Sequence, residues 1–185
     1  MITSNLSELY NNNAHHILGY NNEWLKKLRT DIIRSIENYG LPNKKKEIWK
    51  YANLEHVNNF TYKNISTKLK LDKNSAGENI INFINGRFQI PNSIGKPIDL
   101  KNLSENLDLF KNYFIYNDEH FEKDFVIDLN TIFLTDGIAL SVEENQESFV
   151  IINYQNVSDN ASSYIRNIIK LNKNSKLTLV ENFTN

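Results

Sequence analysis

Apolar residues recur at helical spacing in the front of the chain and alternate with polar ones toward its end. The strongest helical stretch is 22–39. Trp24, Leu25, Leu28, Ile32, Ile36 and Tyr39 form one apolar stripe, and Lys26, Lys27, Arg29, Arg34 and Glu37 fall largely on the opposite face. Asn22 is placed to cap this helix, Gly40 to end it, and Pro42 to prevent its continuation. A shorter helix is predicted over 5–18 from Leu6, Leu9, Tyr10 and Ile17, with Gly19 as its stop and Asn11-Asn12-Asn13 as poor helix formers inside it. A helical turn over Lys45–Ala52 would aim Trp49 and Tyr51 inward, and 53–78 read mostly as loop.

Two apolar runs flank Asn85-Gly86, a pair that tolerates positive φ at both turn positions, so 78–90 is predicted to be a β-hairpin ended by Pro91. Residues 103–116 fit neither period cleanly, with Ser104 available as a cap. Residues 118–134 read as helix through Phe121, Phe125, Leu129, Ile132 and Phe133, and Asp136-Gly137 as a turn. From Ile138 the period becomes two, and strands are expected at 138–142, 149–152, 164–171 and 176–180. Their intervals are uneven, and no repeat length is readable. The last strand stops five residues short of Asn185 and leaves an open edge, so the chain is expected to pair with something or to be the front part of something longer. The fold class is α+β, with a helical region and hairpin over 1–117 and a linking helix and strands over 118–185.

A chain of 185 residues is one domain or one and a part. The net charge of −1 argues against general nucleic-acid binding, although the charge is uneven. Between Asp99 and Glu147 twelve acids face three lysines, a net of −9, which is either a solvated surface or a docking face for a basic partner. There is no cysteine, which removes disulfides, thiolate nucleophiles and Cys-based metal sites from this chain and fits a reducing compartment. The first residues lack the basic and apolar regions of a signal peptide, and no apolar run reaches the ~20 residues of a membrane helix, so a cytoplasmic protein without a membrane role is expected.

Candidate chemistry is sparse. His15-His16 are adjacent on a helix and point about 100° apart, a poor arrangement for one metal ion. His56 and His120 are isolated. Lys44-Lys45-Lys46 lack a second basic patch that would make them a phosphate site. The pairs Glu143-Glu144 and Asp118-Glu119 read as surface turns, and neither a Gly-rich phosphate loop nor a nucleophile elbow occurs. No catalytic, cofactor-binding or metal-binding residue is assigned.

Four segments carry a resemblance. Leu41-Pro42 through Glu47-Ile48-Trp49-Lys50-Tyr51, then Phe83-Ile84-Asn85-Gly86-Arg87-Phe88, then Leu129 through Asp136-Gly137, then Arg166-Asn167-Ile168-Ile169 with Leu177 through Glu181, occur in the order seen in SufD-type proteins. Ala52 and Tyr164-Ile165 depart from that pattern. The chain is similar to the front of this family, the iron–sulfur assembly scaffolds of the Suf system. The resemblance implies a helical region leading into the first strands of a right-handed parallel β-helix, truncated relative to the family. It also implies a scaffold without catalysis of its own, paired with a SufB-like subunit and a SufC-like ABC ATPase. No cofactor is expected in this chain; a cluster would be the cargo of the complex. Two rivals stand beside this reading. One is a β-solenoid carbohydrate enzyme, which needs paired carboxylates or calcium along a completed face. The other is a small independent binding domain using the acidic segment 99–147.

Overall fold

A computed structural model describes residues 6–40, 50–51, 79–91, 93–114, 124–158 and 162–184. The chain divides into two compact units, one formed by 1–62 with 116–133 and the other by 63–115 with 134–185.

The first unit is helical where it is described. Helix α1 spans Leu6–Asn13, and a single 3-10 turn, Ala14–His16, follows it. The predicted 5–18 helix is therefore shorter as an α-helix, ending within the asparagine triplet whose side chains compete for backbone bonds: Asn13 Nδ2 donates to Leu9 O at 2.8 Å. Helix α2, Glu23–Tyr39, forms as expected. Asn22 Oδ1 accepts from Leu25 N–H at 3.2 Å, and Gly40 N–H closes the last turn on Ile36 O at 2.8 Å. Helix α3, Phe125–Phe133, starts at Asp124, whose Oδ1 accepts from Val126 N–H at 2.8 Å. The remainder of the predicted 118–134 helix before it, the basic run 44–46 and the loop 53–78 lie outside the described residues. Tyr51 is 89% exposed and so does not turn inward.

Among its described residues the second unit has seven strands in two sheets: β1 Ile80–Ile84, β2 Arg87–Gln89, β3 Ile98–Asn102, β4 Asp136–Val142, β5 Glu147–Gln155, β6 Ile165–Leu171 and β7 Lys176–Thr184. The four-stranded sheet runs β2-β1-β5-β7 and the three-stranded one β3-β4-β6. Their inner faces share one core of Ile81, Phe83, Ile138, Leu140, Val142, Val150 and Ile152. A 3-10 helix spans Leu107–Tyr113 where the sequence fits neither period cleanly.

The expected parallel β-helix is not what these strands make. Both sheets are open and mixed. β1 pairs antiparallel with β2 and β3 antiparallel with β4, while β1–β5, β5–β7 and β4–β6 are parallel. The physical reason lies in the turns. Asn85 and Gly86, with φ of 46° and 76°, fold β2 straight back on β1, and β3 meets β4 head to tail, so neither sheet is built from parallel pairs alone. Asp136-Gly137, expected as a turn, is instead the beginning of β4.

Candidate functional site

The second unit gathers three of the four sequence segments at one place. The hairpin tip Asn85–Phe88, the start of β4 and the start of β6 meet there. The tip's geometry follows from its residues. Asn85 N–H donates to Gln155 O at 2.8 Å, and Asn85 Oδ1 accepts from Val157 N–H at 2.9 Å, so one asparagine ties the turn to the end of β5. Gly86 has a positive φ, and an added Cβ would stand 2.8 Å from Thr135 Oγ1 and 3.1 Å from Ser163. Glycine is thus required for conformation and for space.

From this turn two residues reach β4. Arg87 Nη1 donates to Thr135 O at 2.7 Å, and Phe88 N–H donates to Asp136 Oδ2 at 3.0 Å. The other oxygen of Asp136 accepts from Gly137 N–H at 2.9 Å. Thr135 continues the clamp to β6: its N–H and Oγ1 both donate to Tyr164 O, at 2.7 and 2.5 Å, and its Oγ1 accepts from Tyr164 N–H at 3.1 Å. Gly137 allows β4 and β6 to approach so closely that a Cβ there would lie 2.0 Å from Arg166 O. The Arg166 guanidinium stacks 4.9 Å from the ring centre of buried Phe114.

Asp136 is the buried acid of this cluster. Burial pushes its carboxyl above the ordinary 3.8, opposed by the bonds from Gly137 and Phe88 and by the Arg87 charge; Glu105 adds to the rise. Both of its oxygens are spent on backbone N–H groups. The chemistry that results is structural: the cluster fastens a hairpin to two strands of the other sheet.

A second polar array crosses the four-stranded sheet. Asn153 Nδ2 donates to Asn82 Oδ1, and Asn182 Nδ2 to Asn153 Oδ1, each at 2.9 Å. One residue along, Phe83, Tyr154 and Phe183 stack with centroids 5.5 and 4.7 Å apart. The Tyr154 hydroxyl donates to Glu181 Oε1 at 2.6 Å and accepts from Asn167 Nδ2 at 2.7 Å. Burial, reinforced by Glu181, raises the Tyr154 phenol above its ordinary value.

The residues weighed for chemistry are scattered. His15 and His16 are exposed, with rings 3.9 Å apart and tilted by 45°. Glu143 and Glu144 lie on an exposed turn; His56, His120, Lys44–Lys46 and Asp118-Glu119 lie outside the described residues. Among the described residues no group of three His, Cys, Asp or Glu converges in a metal-binding arrangement. No described helix is long and apolar enough to cross a membrane.

One residue in the first unit was read wrongly from the sequence. Arg29, assigned to the polar face of α2, is fully buried. Its Nε donates to Thr131 O at 2.9 Å and its Nη2 to Leu18 O at 2.8 Å. Thr131 O belongs to the last turn of α3, where carbonyls lack helical partners and a cation is favoured. The signal was its position, four residues after Leu25 and four before Ile33, both buried.

Comparison with known proteins bears on the front of the chain. No curated protein matches the chain. Residues 1–78 match the family model described as the SufBD protein N-terminal region. The Leu41–Tyr51 segment lies inside the match, and the clamp residues of the second unit lie beyond it. Residues 1–78 are therefore similar to the N-terminal region of SufB/SufD-family proteins, a match that does not distinguish SufB from SufD.

Proposed function

We propose that this protein is a SufD-like scaffold component of Suf iron–sulfur cluster assembly, pairing with a SufB-like subunit and a SufC-like ABC ATPase and performing no catalysis of its own. The observation that carries this reading is the family match over 1–78. The clamp supports it. Asn85, Arg87, Thr135 and Asp136 direct side-chain polar atoms to nearby backbone groups, as suits residues that hold a surface in shape. Cluster iron and sulfide are cargo of the complex, and thiolate ligands come from outside these 185 residues, which contain no cysteine.

The test is affinity purification of the tagged protein from its own cell at low salt, read by native mass spectrometry. Co-purification of a second SufB/SufD-family subunit and an ABC ATPase in fixed ratio is expected. Recovery of the protein alone, or with unrelated partners, overturns the proposal.

A further inference from the structure

We propose that the groove between the edge strands β2 and β3 is a docking site for a basic polypeptide segment of a partner protein, anchored by an apolar side chain. The two sheets end here on the side away from β6 and β7, and the groove has a volume of about 430 Å³. Phe88, Ile94 and Leu100 form part of its apolar lining and pack against the core from their inner sides. Ile90 stands at its mouth, 81% exposed. An isoleucine so placed, next to further apolar surface, is the pattern of an interaction site rather than of a solvated loop.

The charge of the groove selects the partner. Asp99 and Glu105 are its charged lining residues, both exposed, and no Lys or Arg occurs among the described residues of the lining. Lys101 contacts Asp99, and the Arg87 charge acts on Asp136. Glu105 lies close enough to Asp136 to act on it, and it is the exposed acid of that rim. A lysine or arginine on the incoming segment complements this side, and an acidic segment is repelled. Strand addition to β2 is not the mode, because Phe88 N–H is taken by Asp136 and Arg87 O accepts from Gln89 Nε2 at 3.0 Å. Recognition therefore runs through side chains: an apolar anchor against Ile90 and Ile94, and a cation toward Glu105.

The test uses the full chain and two synthetic peptides of equal length, one alternating leucine and lysine, the other leucine and glutamate. Binding is followed by amide shifts in NMR spectra and by fluorescence anisotropy. The lysine peptide is expected to shift the amides of Ile90, Ile94, Leu100 and Glu105, with affinity falling as salt is raised. Ile90→Asn, at a site exposed enough to leave folding intact and with no change of charge, is expected to weaken it about tenfold, the loss of one aliphatic contact buried on binding. Glu105→Lys is expected to shift preference toward the glutamate peptide. Equal binding of both peptides, shifts confined to another surface, or no effect of either substitution overturns the proposal. So does a concentration-dependent dimer that Ile90→Asn dissolves, since a second copy would then be the occupant.

Discussion

Arg29→Met is the substitution whose outcome follows most directly from the packing. The change keeps the length and much of the volume of the side chain and removes its charge and donors. Replacing a buried charge by a hydrophobe is often harmless when its partner is removed as well. Here two of the partners are the backbone carbonyls of Thr131 and Leu18, which no side-chain substitution removes. Each buried acceptor left without a donor costs about 1–3 kcal/mol, so the loss expected is ~2–5 kcal/mol against a total stability of roughly 5–15. At this chain length that corresponds to a fall in Tm of about 5–15 °C. Urea titration followed at the helical circular dichroism band measures it. Arg34→Met serves as control: Arg34 is an exposed residue 3.8 Å from Asp31, in a pair whose contribution is at most ~1 kcal/mol. Arg29→Lys should recover part of the loss by serving one carbonyl. If Arg29→Met is as stable as the parent, Arg29 does not hold α2 to α3 in the way described.

Gly137→Ala should destabilise the second unit by ~1–3 kcal/mol, because its Cβ would meet the Arg166 carbonyl, a backbone atom that moves only with the strand. Gly95→Ala, whose nearest neighbour is the Asn79 side chain at 3.3 Å, should be close to neutral; equal urea midpoints for the two would refute the close approach of β4 and β6. Asp136 makes a pH prediction. Burial raises its folded-state pKa above 3.8, so folding favours the protonated form; the stability it contributes is fully present below 3.8 and is lost as pH rises through the raised value. The stability difference between the parent and Asp136→Asn should therefore move in favour of the variant from acid pH toward neutrality. The opposite slope in urea midpoints would mean that the bonds from Phe88 and Gly137 outweigh burial.

Much of the first unit was readable in advance, because helical period, cap and stop are local properties. Asn22 and Gly40 bracket α2 as expected. The orientation of the helix was readable only in part. The stripe drawn from residue types contains Leu25 and Ile36, which are buried, but also Leu28 and Ile32, which are half-buried, and it misses Arg29 and Ile33, which complete the buried line. An arginine inside that line is favourable only because carbonyls of Leu18 and of another helix wait for it, and Thr131 lies 102 residues away. In the second unit the Asn-Gly hairpin was legible for the same local reason. Asp136-Gly137 was misread because the pair has two uses. As a turn it needs φ freedom; as the start of β4 it needs the absent Cβ that lets β6 approach, and only the paired strand distinguishes these. Strand existence followed from the period of two, but strand direction depends on partners remote in sequence, and the expected all-parallel helix gave way to two mixed sheets.

The residues carrying the resemblance beyond the matched span are those that fix these partners. Asn85 and Gly86 set the hairpin, Arg87 and Phe88 bind it to Thr135 and Asp136, and Gly137 sets the spacing of β4 and β6. A motif made of such residues specifies shape and leaves the outward surface free to vary. Function in a protein built this way is to be sought on surfaces that the clamp positions, and the β2–β3 groove is adjacent to it: Phe88 both bonds Asp136 and lines the groove. Loosening the clamp at Asp136 should therefore disturb docking at Ile90 and Glu105, although Asp136 itself does not line the groove.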